Sequence, residues 1–393
     1  MSNRSWLIEG RARWCYLAVA LLGSGNAAYY VYTRAIVAAK VEDSYAFAVM
    51  LGAFESSPAL LAALLAFYFD RAGRRLSSLL GLGGACAAIS MGLIDVRLYP
   101  YAAFAVFLAV SSYQSVLYGA VLHEVSGRAR SFGLFGAMGS LGWSVGGLLP
   151  GLIVAAGGGE RAVFASVSAL YALSSLVGLA SIPEGRAAAP PSLADLREGL
   201  SLNLARLVAL LLGSAGQGIL ISAAGVKLYR QTSDLLTFGA AAATLTGLPS
   251  LAARPIAGAA VDSVGPRGVL LLSLLGYAAL ALLLPSASGA FYVALWALPV
   301  YPFYEVSSYT LLSRLMPPAL QATAAGLVAA SLSISGLVNY ALFLGALRGR
   351  GFAEMMSFSL ALLAASAVVL AACPSGARGT VKSPARERSG GSS

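Results

Sequence analysis

Two acidic residues lie deep inside long apolar stretches of this chain. Glu55 stands in the stretch LGAFESSPAL, and Glu305 stands in PVYPFYEVSSYT. An ionisable side chain is costly to bury in such a place, and where it occurs it often carries a proton or attracts a cation. Pro58, Pro299 and Pro302 lie nearby and predict kinks in the helices that carry the two glutamates. Both are candidates for a proton or substrate site, and the alternative is a glutamate that only hydrogen-bonds between packed helices.

Uncharged polar side chains within the apolar stretches form a second group of candidates. Asn26 and Tyr30 are four positions apart, so they share one face of a helix. The further members of the group are Tyr113, Gln114, Gln217, Tyr301 and Asn339. Each of these side chains would either contact a bound molecule or hydrogen-bond to a neighbouring helix, and the second role is the more common one.

Several kinds of site are excluded by residue counts and missing motifs. The chain has 1 His and 3 Cys, and its cysteines fall in apolar stretches without CxxC spacing, so no metal site or disulfide framework is expected. There is no phosphate-binding P-loop, which excludes ATP as an energy source through this chain. There is also no GxSxG or HExxH motif. We therefore expect neither an enzyme nor a cofactor.

The composition indicates which elements position these residues. Of the 393 residues, 58% are hydrophobic and only 11% are charged. A soluble protein would have about twice that share of charged residues, and the abundant Gly and Ala are typical of closely packed membrane helices. The sequence thus predicts an all-α polytopic protein in the lipid bilayer. Its net charge of +10 comes mostly from short loops, where basic residues set membrane topology, so we expect no nucleic-acid partner.

The apolar stretches divide the chain into twelve segments, since a membrane-spanning helix needs about 20 predominantly apolar residues. Segments 1 to 6 lie at about 14–38, 44–68, 77–95, 99–122, 132–156 and 162–182. Segments 7 to 12 lie at about 204–228, 235–259, 269–286, 289–313, 321–347 and 352–373. The predicted regions are an N-terminal six-helix bundle, a polar linker with a short surface helix, a C-terminal six-helix bundle and a disordered tail, at 1–182, 183–203, 204–373 and 374–393.

The basic residues predict the orientation of the chain. Most Lys and Arg residues, Arg254 among them, fall on the inner side if the N-terminus is inside the cell. The positive-inside rule therefore predicts a multi-pass protein of the cell membrane with both termini in the cytoplasm. Four basic residues near the outer ends of segments are expected to extend their charged groups to the membrane surface: Arg34, Lys40, Lys227 and Arg230.

A dense cluster of charges separates segments 2 and 3, in the stretch FDRAGRR. Its charged residues and its glycine are Asp70, Arg71, Gly73, Arg74 and Arg75. Arginines alone would anchor a loop to one side of the membrane, but that role requires neither the aspartate nor the glycine. The stretch VDSVGPR repeats the outline after segment 8, at one constant offset, with Asp262, Gly265 and Arg267. The repeat indicates duplication of a six-helix unit, which is one known transporter architecture.

These features resemble the major facilitator superfamily of transporters. In that family the loop between helices 2 and 3 has the form G-x-x-x-D-[RK]-x-G-[RK]-[RK]. Residues 66–75 match this form except for Ala66, and residues 258–267 match it except at the first basic position and at Pro266. The resemblance covers essentially residues 14–373. It implies twelve transmembrane helices in two pseudo-symmetric six-helix bundles, with helices 1, 4, 7 and 10 around a central cavity.

The resemblance also implies a role for the two aspartates. A carboxylate is stabilised at a helix N-terminus by the helix dipole. Asp70 would cap the start of segment 11 near residues 321–323, and Asp262 would cap segment 5 near Ser131. Both contacts would join the two halves on the cytoplasmic side and would break when that side opens.

Two further expectations concern the arginines near these loops. By resemblance, Arg71 would pair with an acidic residue at the cytoplasmic end of segment 4, where Glu124 stands. The equivalent position in the second half is Arg314, with no acidic residue. The pairing is therefore not expected to be repeated there.

Segment 5 carries a pattern of glycines. Antiporters of the family often show G-x8-G-x3-G-P-x-x-G-G in this helix, and at those six positions this chain has Gly133, Gly142, Gly146, Gly147, Pro150 and Gly151. The match is degenerate, because Gly147 stands where the proline is expected and Pro150 stands where a glycine is expected. The pattern favours export, and the alternative is a glycine face that only packs closely.

Together these observations predict a secondary active transporter that moves a small organic solute by alternating access. The two glutamates favour proton coupling. The scarcity of Arg and Lys inside the bundles argues against sugar phosphates and dicarboxylates, which need cationic clamps. We expect a monomer that exports an amphipathic or cationic compound. The alternatives are a uniporter or importer of a neutral metabolite and a non-transporting membrane receptor or scaffold with the same fold.

Overall fold

α-Helices make up nearly all of the residues that the structure describes. The computed structural model describes residues 10–125, 128–183, 193–232, 234–316 and 320–373. Within these ranges the helices are α1 (Cys15–Lys40), α2 (Ser44–Ser56), α3 (Ala59–Ala72), α4 (Ser77–Met91), α5 (Tyr99–Glu124), α6 (Ala129–Gly146), α7 (Leu149–Ala155), α8 (Glu160–Ser181), α9 (Leu193–Thr232), α10 (Leu235–Gly239), α11 (Leu245–Val264), α12 (Pro266–Leu283), α13 (Gly289–Trp296), α14 (Val300–Ser313), α15 (Gln321–Leu342) and α16 (Phe352–Ala372).

Several of the predicted segments are interrupted helices. Segment 2 consists of α2 and α3, segment 5 of α6 and α7, and segment 10 of α13 and α14. Segments 8 and 11 each contain a π-helical turn, at Ala240–Thr244 and Phe343–Leu347. Pro58 and Pro299 lie at two of the breaks, because proline lacks the backbone N–H that would continue a helix. Pro302 lies in the first turn of α14, where proline is tolerated, and it produces no separate break.

With the interrupted helices joined, the described residues form the twelve predicted segments. Eight helical stretches are long and apolar enough to span a membrane, and they correspond to segments 4 to 9, 11 and 12. Segments 1, 2, 3 and 10 pack among them in the same bundle. The predicted all-α membrane fold is confirmed.

One boundary differs from the prediction. Helix α9 has 40 residues and begins at Leu193, within the predicted linker. The expected short surface helix is therefore continuous with segment 7. The remainder of the linker at 184–192, the tail at 374–393 and the first nine residues lie outside the described residues.

The packing of the helices repeats between the two halves. In the first half α1 packs on α6 and α8, and α4 packs on α5 and α8. The equivalent helices of the second half make the equivalent contacts: α9 packs on α15 and α16, and α12 packs on α14 and α16. Across the halves α6 packs on α11, and α15 packs on α3. Segment 5 thus meets segment 8 as segment 11 meets segment 2, which is the pattern that a pseudo-twofold axis produces.

Candidate functional site

The duplicated loops turn sharply at their glycines. Gly73 and Gly265 end α3 and α11 with φ of 125° and 95°, a backbone region that favours glycine because it has no Cβ. Each glycine also donates its N–H to the preceding helical turn, to Phe69 O and to Val261 O, both at 3.0 Å. The glycines thereby place the aspartates of the two loops at one face of the bundle. We call the face that carries residues 70–75 and 262–267 the motif face.

Asp70 joins the two halves at the motif face. Its Oδ2 accepts hydrogen bonds from the backbone N–H and from the hydroxyl of Thr323, both at 3.1 Å, in the first turn of α15. Its Oδ1 is held by Arg74 of its own loop, whose Nε and Nη2 lie at 3.0 and 2.9 Å. The carboxylate is therefore oriented by one half while it caps a helix of the other.

Asp262 makes the equivalent contact in the second half. It accepts hydrogen bonds from the backbone N–H groups of Ala129 and Arg130, at 3.3 and 3.1 Å, at the start of α6. Arg314 lies 2.5 Å from the same carboxylate. The sequence predicted no acidic partner for Arg314 on its own segment. In the structure its partner is the aspartate of the duplicated loop.

Arg71 and Glu124 are not brought together. The guanidinium of Arg71 lies 5.8 Å from the ring centroid of Phe67, and Glu124 is exposed at the end of α5. Among the described residues these two form no ion pair. The arginine of this loop that forms an ion pair is Arg74, which pairs with Asp70, and not Arg71.

The last arginine of each loop holds its own half together. Arg75 Nε donates to Ile182 O at 2.9 Å, and Arg267 Nη2 donates to Ala371 O at 2.6 Å. Both carbonyls lie at the C-terminal end of the last helix of the same half, α8 and α16. A cation there is favoured because the final carbonyls of a helix lack intrahelical partners.

The glycine pattern of segment 5 forms a packing face on two sides. Gly142 and Gly146 contact the backbone of α1 at Ala20 and Ser24 so closely that a Cβ would clash. Three others leave no room for a side chain against segment 8, and they are Gly133, Gly147 and Gly151. Pro150 is buried in the first turn of α7. The whole pattern therefore serves the close approach of α6 and α7 to α1 and to the second half.

The described residues enclose two cavities between the halves. The first has a volume of about 330 Å³, and the candidates that line it are Asn26, Tyr30, Gln114, Tyr301 and Glu305. The second has a volume of about 310 Å³, and the candidates that line it are Tyr30, Glu55, Gln114, Gln217, Tyr301 and Asn339. The two cavities share Tyr30, Gln114, Ile221 and Tyr301, so they meet at a waist formed by these four side chains.

Tyr113 is the one polar candidate that lines neither cavity. Its side chain is only 1% exposed, and its hydroxyl donates to Ser174 O on α8 at 2.8 Å. The residue has the packing role that the sequence left open as the alternative. Tyr113 lies on segment 4 as predicted, but its ring points to the neighbouring helix α8 of its own half and not into a cavity.

Glu55 is paired with an arginine that the sequence analysis placed elsewhere. Arg34 of α1 donates to both carboxylate oxygens of Glu55, each at 2.7 Å. Arg34 was expected to reach the membrane surface, and that expectation is wrong, because it is only 2% exposed. A buried guanidinium requires a carboxylate partner, and Glu55 supplies one within the bundle.

Glu305 is paired in the same way in the second half. It forms an ion pair with Arg254 of α11, whose Nε also donates to Ser140 of the first half at 2.6 Å. Arg254 was counted among the basic residues of the inner side, although predicted segment 8 at 235–259 includes it, and its buried position within α11 shows that this count was wrong. Asp262 marks the end of the segment, so Arg254 lies about two helical turns inside it, and that spacing was a usable signal. The supposed scarcity of interior arginine is likewise corrected.

Three further candidates hydrogen-bond to neighbouring helices and still line the cavities. Asn26 Oδ1 accepts from Tyr171 OH at 2.8 Å. Gln217 Nε2 donates to Tyr277 OH at 2.6 Å, and Asn339 Nδ2 donates to Ala215 O at 3.1 Å. These bonds fix the side chains in place, which pre-organises the cavity surface.

The face opposite the motif face is also closed by contacts across the halves. Arg230 of α9 donates to Ser44 Oγ at 2.7 Å and lies 4.6 Å from the ring centroid of Tyr45, at the start of α2. Tyr45 in turn packs on Phe352 of α16, with ring centroids 6.0 Å apart. The two cavities therefore lie between contacts at both faces.

Comparisons with known proteins agree with this architecture. The family model of the Major Facilitator Superfamily matches residues 15–340. Among solved structures, the human organic anion transporter MFSD10 (TETRAN) has 16% identity and a TM-score of 0.63, over 92% of this chain and 99% of that one. The nucleoside transporter NupG has 13% identity and a TM-score of 0.61, over 93% and 98%.

A variant of NupG gives a similar result, with 14% identity, a TM-score of 0.62 and coverage of 91% and 98%. No curated protein sequence matches the chain. Identities this low show the fold alone, while the family model covers most of the chain. The protein is a multi-pass membrane protein of the transporter fold, and it belongs to the major facilitator superfamily.

Proposed function

We propose that this protein is a proton-coupled secondary transporter that exports a small amphipathic or cationic solute by alternating access. The observation that supports this most directly is the pair of cavities between the halves, with a buried Arg–Glu pair in each. A solute held there would be released to one side or the other when the halves rock apart.

The contacts at the two faces would open alternately. Asp70 and Asp262 join the halves at the motif face, and Arg230 joins them at the opposite face. Each set can be broken while the other remains, because they lie at opposite faces of the bundle, as Ser44 and Asp70 do at the two ends of segment 2. We propose that the motif face is cytoplasmic, with both termini on that side of the cell membrane.

Proton coupling would act through the two glutamates. A buried ion pair is held by strong attraction against a large desolvation cost. Protonation of Glu55 or Glu305 would remove the negative partner and leave Arg34 or Arg254 uncompensated in the cavity. A proton would thereby change which conformation and which occupant the cavity favours.

The cavity lining supports an amphipathic solute. Aromatic side chains of the first cavity, including Trp143 and Trp296, offer apolar surface, and polar groups are interspersed among them. Such a mixture is typical of small-molecule sites. The solved relatives carry an organic anion in one case and nucleosides in the other, according to their names, so the fold itself does not select a charge.

A second candidate is a uniporter or importer of a neutral metabolite. This candidate is favoured by the net charge of the cavities. Each buried glutamate is paired with one arginine, so the two pairs add no net charge that would select a charged solute. Unlike the proton-coupled exporter, such a transporter would not respond to a pH gradient.

Reconstitution into proteoliposomes tests the proposal. Uptake of a compound panel would be measured with and without an imposed pH gradient, for the wild type and for the Glu55→Gln and Glu305→Gln variants. We expect a pH gradient to drive concentrative movement, and we expect both variants to lose that drive. Equal movement with and without the gradient would favour the uniporter, and no movement of any compound would contradict transport itself.

A further inference from the structure

Lys227 binds the end of a neighbouring helix at the face opposite the motif face. Its Nζ donates hydrogen bonds to Leu284 O at 2.9 Å and to the carbonyls of Pro285 and Ala287, both at 3.2 Å. These carbonyls directly follow α12, where a helix leaves its final carbonyls without intrahelical partners. An ammonium group has three donors, and here it meets three acceptors. Lys227 therefore ties α9 to the end of α12 within the second half.

The same ammonium lies over two aromatic rings. Lys227 Nζ lies 4.9 Å from the ring centroid of Tyr292 and 4.6 Å from that of Phe352, and both distances allow an attractive cation–ring contact. Tyr292 is buried, its hydroxyl donates to Ala224 O of α9 at 2.9 Å, and its ring centroid lies 6.5 Å from that of Phe352. Phe352 therefore packs on a charge and a ring that are both fixed within its own half.

Phe352 joins the second half to the first at this face. Its ring centroid lies 6.0 Å from that of Tyr45 at the start of α2, within the range of attractive aromatic pairs. Arg230 contacts Tyr45 as well, and it follows Lys227 by three positions, so both basic residues lie on one face of α9. Tyr45 is thereby held by Arg230 directly and by Phe352, which packs on Lys227.

The backbone around Phe352 gives its ring little restraint of its own. Phe352 is the first residue of α16 and follows Gly351 directly, while Gly349 has a φ of 72°. Glycines leave the chain more conformational freedom than other residues do. The position of the ring therefore depends on the side chains against which it packs, and Lys227 is one of them.

We propose that Lys227 is a positioning residue for closure of the opposite face, because it fixes the ring on which Tyr45 of the first half closes. This inference rests on the alternating access of the proposed function. When that face opens, Tyr45 leaves with the first half, whereas the contacts of Lys227 with Tyr292, Phe352 and the end of α12 remain within the second half. Lys227 thus keeps the ring of Phe352 in place for each closure.

Spin-label distances across the opposite face measure this role. The labels would be placed at Ala156 and Arg348, which are exposed just after α7 and segment 11 in opposite halves, with the exposed Cys86 replaced. Lys227→Met keeps an unbranched side chain and removes the charge. In nanodiscs without any solute, we expect it to raise the population at long distances roughly 2- to 10-fold, as the loss of one aromatic contact implies. Wild-type distances would refute the assignment.

A double-mutant cycle separates positioning from plain stabilisation. Among the described residues, no hydrogen bond or ring contact joins Lys227 directly to Tyr45. If Lys227 acts through Phe352, Lys227→Met should add little to the opening that Tyr45→Leu already causes, because coupled residues are not additive. A lysine that only stabilised the second half would lower the melting temperature and act equally in both backgrounds, and that result would refute the inference.

Two further variants complete the test. Phe352→Leu leaves Lys227 on its carbonyls and should reproduce the shift to long distances. The matched control is Lys40→Met, since Lys40 pairs with Glu160 inside the first half at 3.5 Å and its loss should leave the distances unchanged. An equal shift in the control would contradict the inference, and so would wild-type distances in Phe352→Leu.

Failure of this inference is distinguishable from failure of the proposed function. Two distance populations in the wild type that neither Lys227→Met nor Phe352→Leu changes would refute the role of Lys227 alone. A single distance in every protein and condition would contradict alternating access, and this inference with it.

Discussion

Replacing Asp70 by asparagine should shift the protein toward the conformation that is open at the motif face. The carboxylate accepts two hydrogen bonds from Thr323 across the halves, both at 3.1 Å, and these exist only while that face is closed. A carboxylate at a helix N-terminus contributes about 0.3–2 kcal/mol, with the larger values in partly buried geometries. A loss of about 1–2 kcal/mol corresponds to a roughly 5- to 30-fold change in the conformational equilibrium.

Arg74 does not enter this estimate, because it belongs to the same half as Asp70. It is buried, at 3% exposed, and in the variant it loses its charged partner in every conformation. That loss should lower the melting temperature without favouring either conformation. Thermal unfolding and conformational measurements therefore report two separate effects of one substitution.

Electron–electron resonance between two spin labels measures the conformational shift. The labels would be placed on Ala72 and Ser263, which are exposed at the motif face in opposite halves, after replacement of the exposed Cys86. The Asp70→Asn variant in nanodiscs should gain population at long distances. The matched control is Asp234→Asn, since Asp234 caps a helix of its own half through Thr237 N at 2.8 Å.

The control should reproduce the wild-type distance distribution. An unchanged distribution in a correctly inserted Asp70→Asn variant would refute the reasoning, and so would an equal shift in the control. Slower transport by the Asp70 variant is the functional counterpart of the same prediction.

Three further variants test the opposite face, the buried charges and the helix packing. Arg230→Gln should favour opening of the opposite face, because the contacts of Arg230 across the halves are worth about 1–2 kcal/mol. Spin labels placed at that face should then show longer distances, and unchanged distances would contradict this. Glu305→Gln should lower stability in detergent by about 3–5 kcal/mol because Arg254 stays charged and buried, and adding Arg254→Met should recover most of that loss. Gly142→Ala should cost about 1–3 kcal/mol through a clash with the backbone of α1, whereas Gly83→Ala has open space and should not destabilise; equal melting temperatures would contradict this account.

The fold could be predicted from the sequence because each membrane-spanning helix is determined mainly by its own stretch of residues. A membrane-spanning helix must satisfy its own backbone within one apolar stretch, so hydropathy was sufficient to locate the segments. The loop around Asp70 and its copy around Asp262 then revealed the duplication. The contacts of both aspartates at helix N-termini were anticipated from the resemblance to the family, and the helix dipole explains why a carboxylate is favoured there.

The Arg–Glu ion pairs in the cavities could not be predicted from the sequence in the same way. The depth of Glu55 and Glu305 in their segments marked them as unusual, since depth can be read from one helix at a time. Their partners depend on which faces of two different helices meet, and one sequence contains no direct record of that. Arg34 was accordingly assigned to the membrane surface, and Arg254 was counted on the inner side of the membrane. The same limitation applies to Tyr113, whose segment was correct and whose direction was not.

The duplicated loops show how one short motif serves two mechanical needs. Arg75 and Arg267 bind the last helix of their own half, through Ile182 O and Ala371 O, and such contacts survive any rocking of the halves as rigid bodies. The aspartates of the same loops bind the other half, and under the proposed alternating access their contacts would break when the motif face opens. Both kinds of contact arise from one turn at a glycine. In each loop, the arginine that binds its own half therefore lies only a few residues from the aspartate that binds the other half. The charged hydrogen bonds of the aspartates add to the packing of α6 on α11 and of α15 on α3, and single substitutions at the aspartates are expected to change the equilibrium measurably.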